Sequence, residues 1–208
     1  MSPDLNLTLI LLAALIASIS PGPATLALAG TSMAKGRKAG LALASGITTG
    51  SFFWSISAAM GLGAVMLANV WLFEAIRYFG VAYLLYLAFK SARSAMSKKD
   101  LAVRTVKGSL GTVYAKGLLL HLTNPKAILF FGALYAIGMP ADATWRDLVI
   151  VIGAVGVQSL IVFHLYAVAF SSARATQLYL RARRWCEGLF AIGFGLAGFK
   201  ILTARLNT

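Results

Sequence analysis

Two proline-bearing stretches interrupt apolar sequence in this chain: "SISPGPATLALAG" at residues 18–30 and "HLTNPKAILFF" at residues 121–131. In the first, Ser20 precedes Pro21, Gly22 and Pro23. In the second, Thr123 and Asn124 precede Pro125 and Lys126. A proline inside a helix removes a hydrogen bond and clashes with the preceding turn, at about 3 kcal/mol or more. In lipid the carbonyls so released have no water to turn to. Ser20 and Asn124 are helix-starting residue types, and proline after each suits the first helical position. Each break is therefore expected to begin a half-helix with unpaired N–H groups and a positive dipole end. Two such ends facing one point suit a carboxylate. The carbonyls freed four residues back, at Ala17, Ile19 and His121, suit an ammonium group or a water. Donors on one side and carbonyls on the other match the zwitterionic head of an amino acid.

Lys126 adds a charge. In mid-membrane it costs about 2.5–3.5 kcal/mol on translocon scales, and such charges usually line a cavity or pathway. It is the candidate for binding a carboxylate or for coupling to protons, and His121, one turn before Pro125, is the second proton-coupling candidate. The expected substrate-binding residues are Ser20, Pro21, Gly22, Pro23, Thr123, Asn124, Pro125 and Lys126. The other histidine, His164, reads as a packed, hydrogen-bonded residue, with Gln158 and Ser159 as pocket polar groups in the same span. Ala42, Gly46 and Gly50 recur every four residues, which lets helices approach closely. Trp54 reads as packing.

These residues need elements to hold them, and composition says of what kind. The chain of 208 residues is 59% hydrophobic and only 12% charged, about half the charge of an average soluble domain. Its mean hydropathy is +0.80, and apolar runs of about 20 residues recur along it. The first run is expected to be a retained span, being too long and too poor in preceding basic residues for a cleaved signal peptide. The single cysteine, Cys186, excludes an internal disulfide and a Cys-rich metal site.

The reading is an all-α integral membrane protein with six transmembrane helices, at about 5–33, 40–68, 71–90, 116–139, 147–170 and 186–204. Glu187 and Lys200 trim the last to a clean core of Gly188–Phe199. The net charge of +13 raises nucleic acid as a partner, but fourteen of the 19 basic residues sit in the first, third and fifth connections. That is a topology signal, not a binding face: the basic connections are cytoplasmic and both termini extracytoplasmic. Residues 1–95 and 116–208 each hold three spans with a break in the first, joined by a polar, basic linker at 96–115. Part of that linker is expected to lie on headgroups as a short amphipathic helix. An odd number of spans per half makes the halves insert in opposite senses, a 3+3 inverted repeat with broken first and fourth helices. Gly22 lies 11 residues before Met33 and Lys126 lies 10 after Lys116, so both breaks sit about 15 Å from the cytoplasmic edge. That is the middle of a core about 30 Å thick. The breaks can meet.

With these residues in hand, the chain resembles the lysine-exporter (LysE/RhtB) superfamily of bacterial amino-acid efflux proteins. The resemblance rests on Pro-Gly-Pro followed by a basic turn in "SPGPATLALAGTSMAKGRKAG", on "FGVAYLLYLAFKSAR" in the third span, and on Asn-Pro-Lys in "KGLLLHLTNPKAILFF". It covers essentially the whole chain. Ala24 stands where members often carry a polar residue, and "GALYAIGMP" lacks the Pro-Gln-Phe often found there. The resemblance implies an exporter of amino acids or close derivatives in the bacterial inner membrane, driven by the proton motive force. Its expected partners are the substrate, protons and the lipid bilayer, and so small a bundle is compatible with a homodimer.

The alternatives are an exporter of another small solute or ion, or a non-transport membrane protein. A metal-ion exporter needs carboxylate, Cys or His ligands inside its spans, and no central Asp or Glu stands there. No HExxH or intramembrane Asp pair points to an enzyme. No cofactor and no metal are expected.

Overall fold

The computed structural model describes residues 5–68, 70–97, 104–140 and 143–204. The described secondary structure is helical throughout: α1 (Leu7–Ile19), α2 (Pro23–Ala68), α3 (Val70–Met96), α4 (Leu110–Leu122), α5 (Pro125–Gly138), α6 (Trp145–Ala169) and α7 (Ala173–Ala204). Among the described residues, two stretches are single helices long and apolar enough to cross a membrane, Pro23–Gly61 and Trp145–Ala169. The pair Leu110–Leu122 and Pro125–Ala136, bent by 57°, makes a third.

Both proline breaks are present, and they differ in detail from the expectation. α1 ends at Ser20, whose N–H bonds to the Ile16 carbonyl. The next helix begins two residues later than expected, with Pro23 at its first position and Gly22 supplying the first accepting carbonyl, to Leu26 N–H at 2.9 Å. Pro21 therefore lies in the gap between α1 and α2. The second break follows the expectation. Asn124 caps α5, its side chain accepting from Lys126 N–H at 3.1 Å, with Pro125 in the first turn.

The expected connection around residues 34–39 shrinks to one residue. α2 passes through Gly36 at φ 77° and ψ 179°, a region open to glycine and to little else. The expected start of the last helix at 186 is also corrected. α7 begins at Ala173, and its first turns are helical although polar, since apolar composition marks where a helix enters lipid and not where its hydrogen bonds begin. Residues 98–103 of the expected linker lie outside the described residues. Of its described part, 104–109 is a non-helical strap, while Met96 ends α3 and 110–115 are the first turns of α4. Arg104 N–H reaches the Leu26 carbonyl at 3.4 Å, Val106 N–H the Thr31 hydroxyl at 3.0 Å, and Lys35 Nζ the Gly108 carbonyl at 2.8 Å. A Cβ on Gly30 would stand 2.5 Å from the Arg104 carbonyl oxygen, so only glycine admits the strap.

Packing follows the small-residue stripe. A Cβ on Gly46 would collide with the Tyr114 carbonyl of α4, one on Gly50 would come 2.9 Å from His121 Cβ, and one on Gly117 would come 2.6 Å from the Leu43 carbonyl. α2 and α4 thus cross nearly backbone to backbone. The buried apolar residues form two clusters. One joins Ile10, Leu84, Tyr135, Val155 and Phe194, and the other joins Leu28, Leu43, Ile47, Val113 and Phe163. Residues of both clusters wall one small cavity, which is where the breaks face each other.

Candidate functional site

The two breaks meet through Lys126. Its side chain leaves the first turn of α5 and crosses to the end of α1, where Nζ donates to the carbonyls of Ala17 at 3.2 Å and Ser20 at 3.3 Å. A cation at a helix C-terminus is favourable because the last carbonyls are unpaired there. Pro21 is the reason Ala17 has a carbonyl to spare, since it lacks the N–H that would have claimed it. The other freed carbonyls are also taken. Ile19 accepts from the Tyr166 hydroxyl at 3.4 Å, and His121 accepts from Asn124 N–H at 3.3 Å. The protein's own groups thus occupy the acceptors that the sequence reading reserved for a substrate ammonium. On the other side, Tyr83 of α3 donates to the Lys126 carbonyl at 3.2 Å, holding the start of α5 from behind.

Two cavities touch this junction. The interior one has a volume of about 50 Å³ and is lined by Ser18, Thr25, Ser51, His121 and Ser159 among apolar neighbours. The second is a vestibule of about 540 Å³, walled by Tyr83, Tyr86, Lys90 and Ser94 of α3, by Arg104 of the strap and by Glu187 of α7. Ser20, Gly22, Asn124 and Lys126 line both. Pro21, Pro23 and Pro125 line the vestibule only. Thr123 lines neither: it is exposed, with its hydroxyl on the Leu119 carbonyl at 2.8 Å. Of the eight expected substrate-binding residues, the fold brings seven to one junction.

His121 sits one turn before the second break and is buried. Nε2 pairs with the Ser51 hydroxyl at 3.1 Å, the ring meets Phe131 and Phe163 edge-on, and among the described residues Nδ1 has no hydrogen-bond partner. His164 is bonded on both nitrogens, to Ser45 and to the Leu160 carbonyl, as a packed histidine should be. Gln158 donates to the Leu11 carbonyl at 2.9 Å, and Ser159 faces the interior cavity. Trp54 packs against the larger apolar cluster.

Residues missed in the sequence reading lie mostly in the vestibule. Tyr83, Tyr86, Leu87, Lys90, Ser91 and Ser94 all line it. Their spacing of three and four is one helix face, a signal present in the chain but hidden by the apolar residues around it. Glu187, read as the edge of a span, is only 4% exposed and lies in the interior of α7. No local pattern marks it.

A family model for LysE type translocators matches residues 15–205. The chain is similar to the threonine efflux proteins of Salmonella typhimurium and Escherichia coli, each 29% identical over 198 residues, or 92% of this chain and 94% of theirs. It is also similar to an uncharacterized membrane protein of Pseudomonas aeruginosa, 28% identical over 197 residues and 90% of each chain. No solved structure gives a significant match.

Proposed function

The chain belongs to the LysE type translocators, and we propose that it exports a small polar amino acid, threonine or a close derivative, across the bacterial inner membrane. The reading rests on one contact: the ammonium of one broken helix sits on the end carbonyls of the other, at the boundary between a small cavity and a much larger vestibule. The N-termini of α2 and α5 flank it, and their N–H groups and positive dipole ends favour a carboxylate there. Ser20, Pro21, Gly22 and Pro23 form one wall, and Asn124, Pro125 and Lys126 the other. Thr123 acts from behind, closing the end of α4.

Size orders the steps. The vestibule, at about 540 Å³, falls within the ~300–1,000 Å³ of ligand pockets. The interior cavity, at about 50 Å³, holds a few waters at about 10–15 Å³ each. A substrate therefore enters the vestibule first. Its carboxylate competes with the Ala17 and Ser20 carbonyls for Lys126, and release of that ammonium lets α1 part from α5 so that the interior opens. The hydroxyls of Ser18, Thr25, Ser51 and Ser159 around the interior cavity suit a short hydroxylated side chain.

The six-span, 3+3 plan frames this cycle. α1 with the first arm of α2 makes the first span, the rest of α2 the second, α3 the third, bent α4–α5 the fourth, α6 the fifth and α7 the sixth. Residues 1–95 and 116–208 are the two halves, and 96–115 links them. Each half opens with a broken helix, and equivalent helices pack on each other, α2 on α6 and α3 on α7. Lys90 and Arg104 on the vestibule wall belong to the basic side, so the vestibule faces the cytoplasm and both termini lie outside. Export draws on the proton motive force, with Lys126 and buried His121 as the groups able to carry the proton.

The experiment is threonine efflux from loaded cells with and without the chain, before and after a protonophore. Faster release that collapses with the proton gradient is the expected result. Unchanged threonine release and tolerance would overturn the reading. Reporters fused at the C-terminus, or between residues 139 and 146, should read as extracytoplasmic. A cytoplasmic signal at both would exclude the six-span plan.

A further inference from the structure

Glu187 has no part in the cycle described so far. It is 4% exposed, stands on the vestibule wall with Lys126, Lys90 and Arg104, and accepts a hydrogen bond from Ser94 of α3 at 2.9 Å through Oε1. A buried carboxylate is costly unless charges or hydrogen bonds compensate it. One serine meets only part of its capacity, since a carboxylate accepts through both oxygens.

Charge balance points to what the rest is for. A cavity walled by Lys126, Lys90 and Arg104 would select for anions of any kind. An amino acid carries both signs, so a site specific for it needs an acceptor for the ammonium as well. While Lys126 sits on the end of α1, the carbonyls freed by the prolines do not supply it: Ala17 holds Lys126, Ile19 holds Tyr166 and His121 holds the Asn124 N–H, and the neighbouring Ser20 carbonyl holds Lys126 as well. Among the described residues lining the two cavities, Glu187 is the carboxylate.

We propose that Glu187 receives the protonated amino group of the substrate in the vestibule while Lys126 takes its carboxylate, so that the pair selects amino acids over acids lacking the amino group. The inference rests on the substrate entering at the vestibule. Ser94 is a positioning residue, holding one oxygen of the carboxylate so that the other can serve the ligand. Lys90, whose ammonium lies 6.0 Å from the Tyr86 ring centroid, keeps the mouth cationic.

The test is competition against labelled threonine in inside-out vesicles carrying the full chain. The competitors are unlabelled threonine, its 2-hydroxy acid counterpart and its decarboxylated amine. Glu187→Gln retains an acceptor for Ser94 and the side-chain volume while removing the charge. The wild type should prefer threonine to the hydroxy acid by about tenfold or more, and Glu187→Gln should reduce that ratio to within about threefold. Glu187→Asp should restore part of it. Two outcomes overturn the inference: a wild type that does not discriminate against the hydroxy acid, or a Glu187→Gln variant that weakens threonine and hydroxy acid alike. The second would make Glu187 a counter-ion of Lys126 only. If Glu187→Gln does not reach the membrane, Ser94→Ala reads the same ratio, and an unchanged ratio there counts against the inference. The amine arm reads the Lys126 site separately. Equal competition by amine and threonine removes the carboxylate clamp, whatever the hydroxy-acid ratio shows for Glu187.

Discussion

At Asn124-Pro125 a side chain closes the helix start, whereas at Gly22-Pro23 the backbone does so alone. The preceding helix ends are unequal as well. α4 ends on Thr123, whose N–H and hydroxyl both turn back to the Leu119 carbonyl. α1 ends on Ser20 with two carbonyls that no residue of its own helix satisfies: the ammonium of Lys126 reaches both from across the junction, and the Thr25 hydroxyl of α2 shares the Ser20 carbonyl. The second break is closed by its own residues. The first is completed by the second. A transporter must be able to part its halves at the site, and a joint bridged between α1 and α5 by one movable cation can part when a ligand claims that cation.

The largest test of this contrast is Lys126→Met. It removes the proposed partner of the carboxylate and leaves the half-buried Ala17 carbonyl unpaired, at about 1–3 kcal/mol, while the Ser20 carbonyl keeps the Thr25 hydroxyl. Threonine transport in vesicles should fall more than tenfold, and thermal unfolding in detergent should shift down. Lys126→Arg should recover only part of the transport, because a planar fork differs from a compact ammonium. Unchanged affinity in Lys126→Met would move the lysine out of the site.

The two prolines come next. Pro21→Ala creates an N–H able to claim the Ala17 carbonyl in competition with Lys126, so transport should drop severalfold at equal expression. Pro125 stands in the first turn of α5, where a missing N–H costs nothing, and Pro125→Ala should change transport by less than about twofold. Equal losses would show that the breaks work in the same way.

Asn124→Ala removes the side-chain cap and should destabilise the protein by about 1 kcal/mol, read as a lower melting temperature, with Asn124→Ser retaining most of it. The smallest effect belongs to Ser20→Ala. The polar contacts of Ser20 run through its backbone N–H and carbonyl, so stability should stay within about 0.5 kcal/mol. A Ser20→Ala loss as large as that of Asn124→Ala would erase the asymmetry.

Much of this was legible in the chain, for reasons that differ by residue. Pro21, Pro23 and Pro125 announce breaks because proline's missing N–H and fixed ring act locally, whatever surrounds them. Asn124 announces its cap because the bond it makes is to a backbone group two residues away. The Ala42, Gly46 and Gly50 stripe announces a close crossing but not its partner, which is α4. Ser20 fits the cap type as well as Asn124 does, and only the path of the backbone separates them: Ser20 ends α1, whereas Asn124 starts α5.

What the sequence by itself determined is therefore what local chemistry and hydropathy impose: apolar helices, two proline breaks, a lysine beside one of them, and basic residues gathered between the apolar runs. What only the tertiary structure decided is which groups satisfy which. That Lys126 spends its charge on α1, that Tyr166 takes Ile19, and that Glu187 lines the vestibule beside Lys126 all join residues scores of positions apart in the chain. No helical period links such residues. They become neighbours only when the helices pack, because burying an unpaired carbonyl or a lone charge costs more than the folded chain can bear.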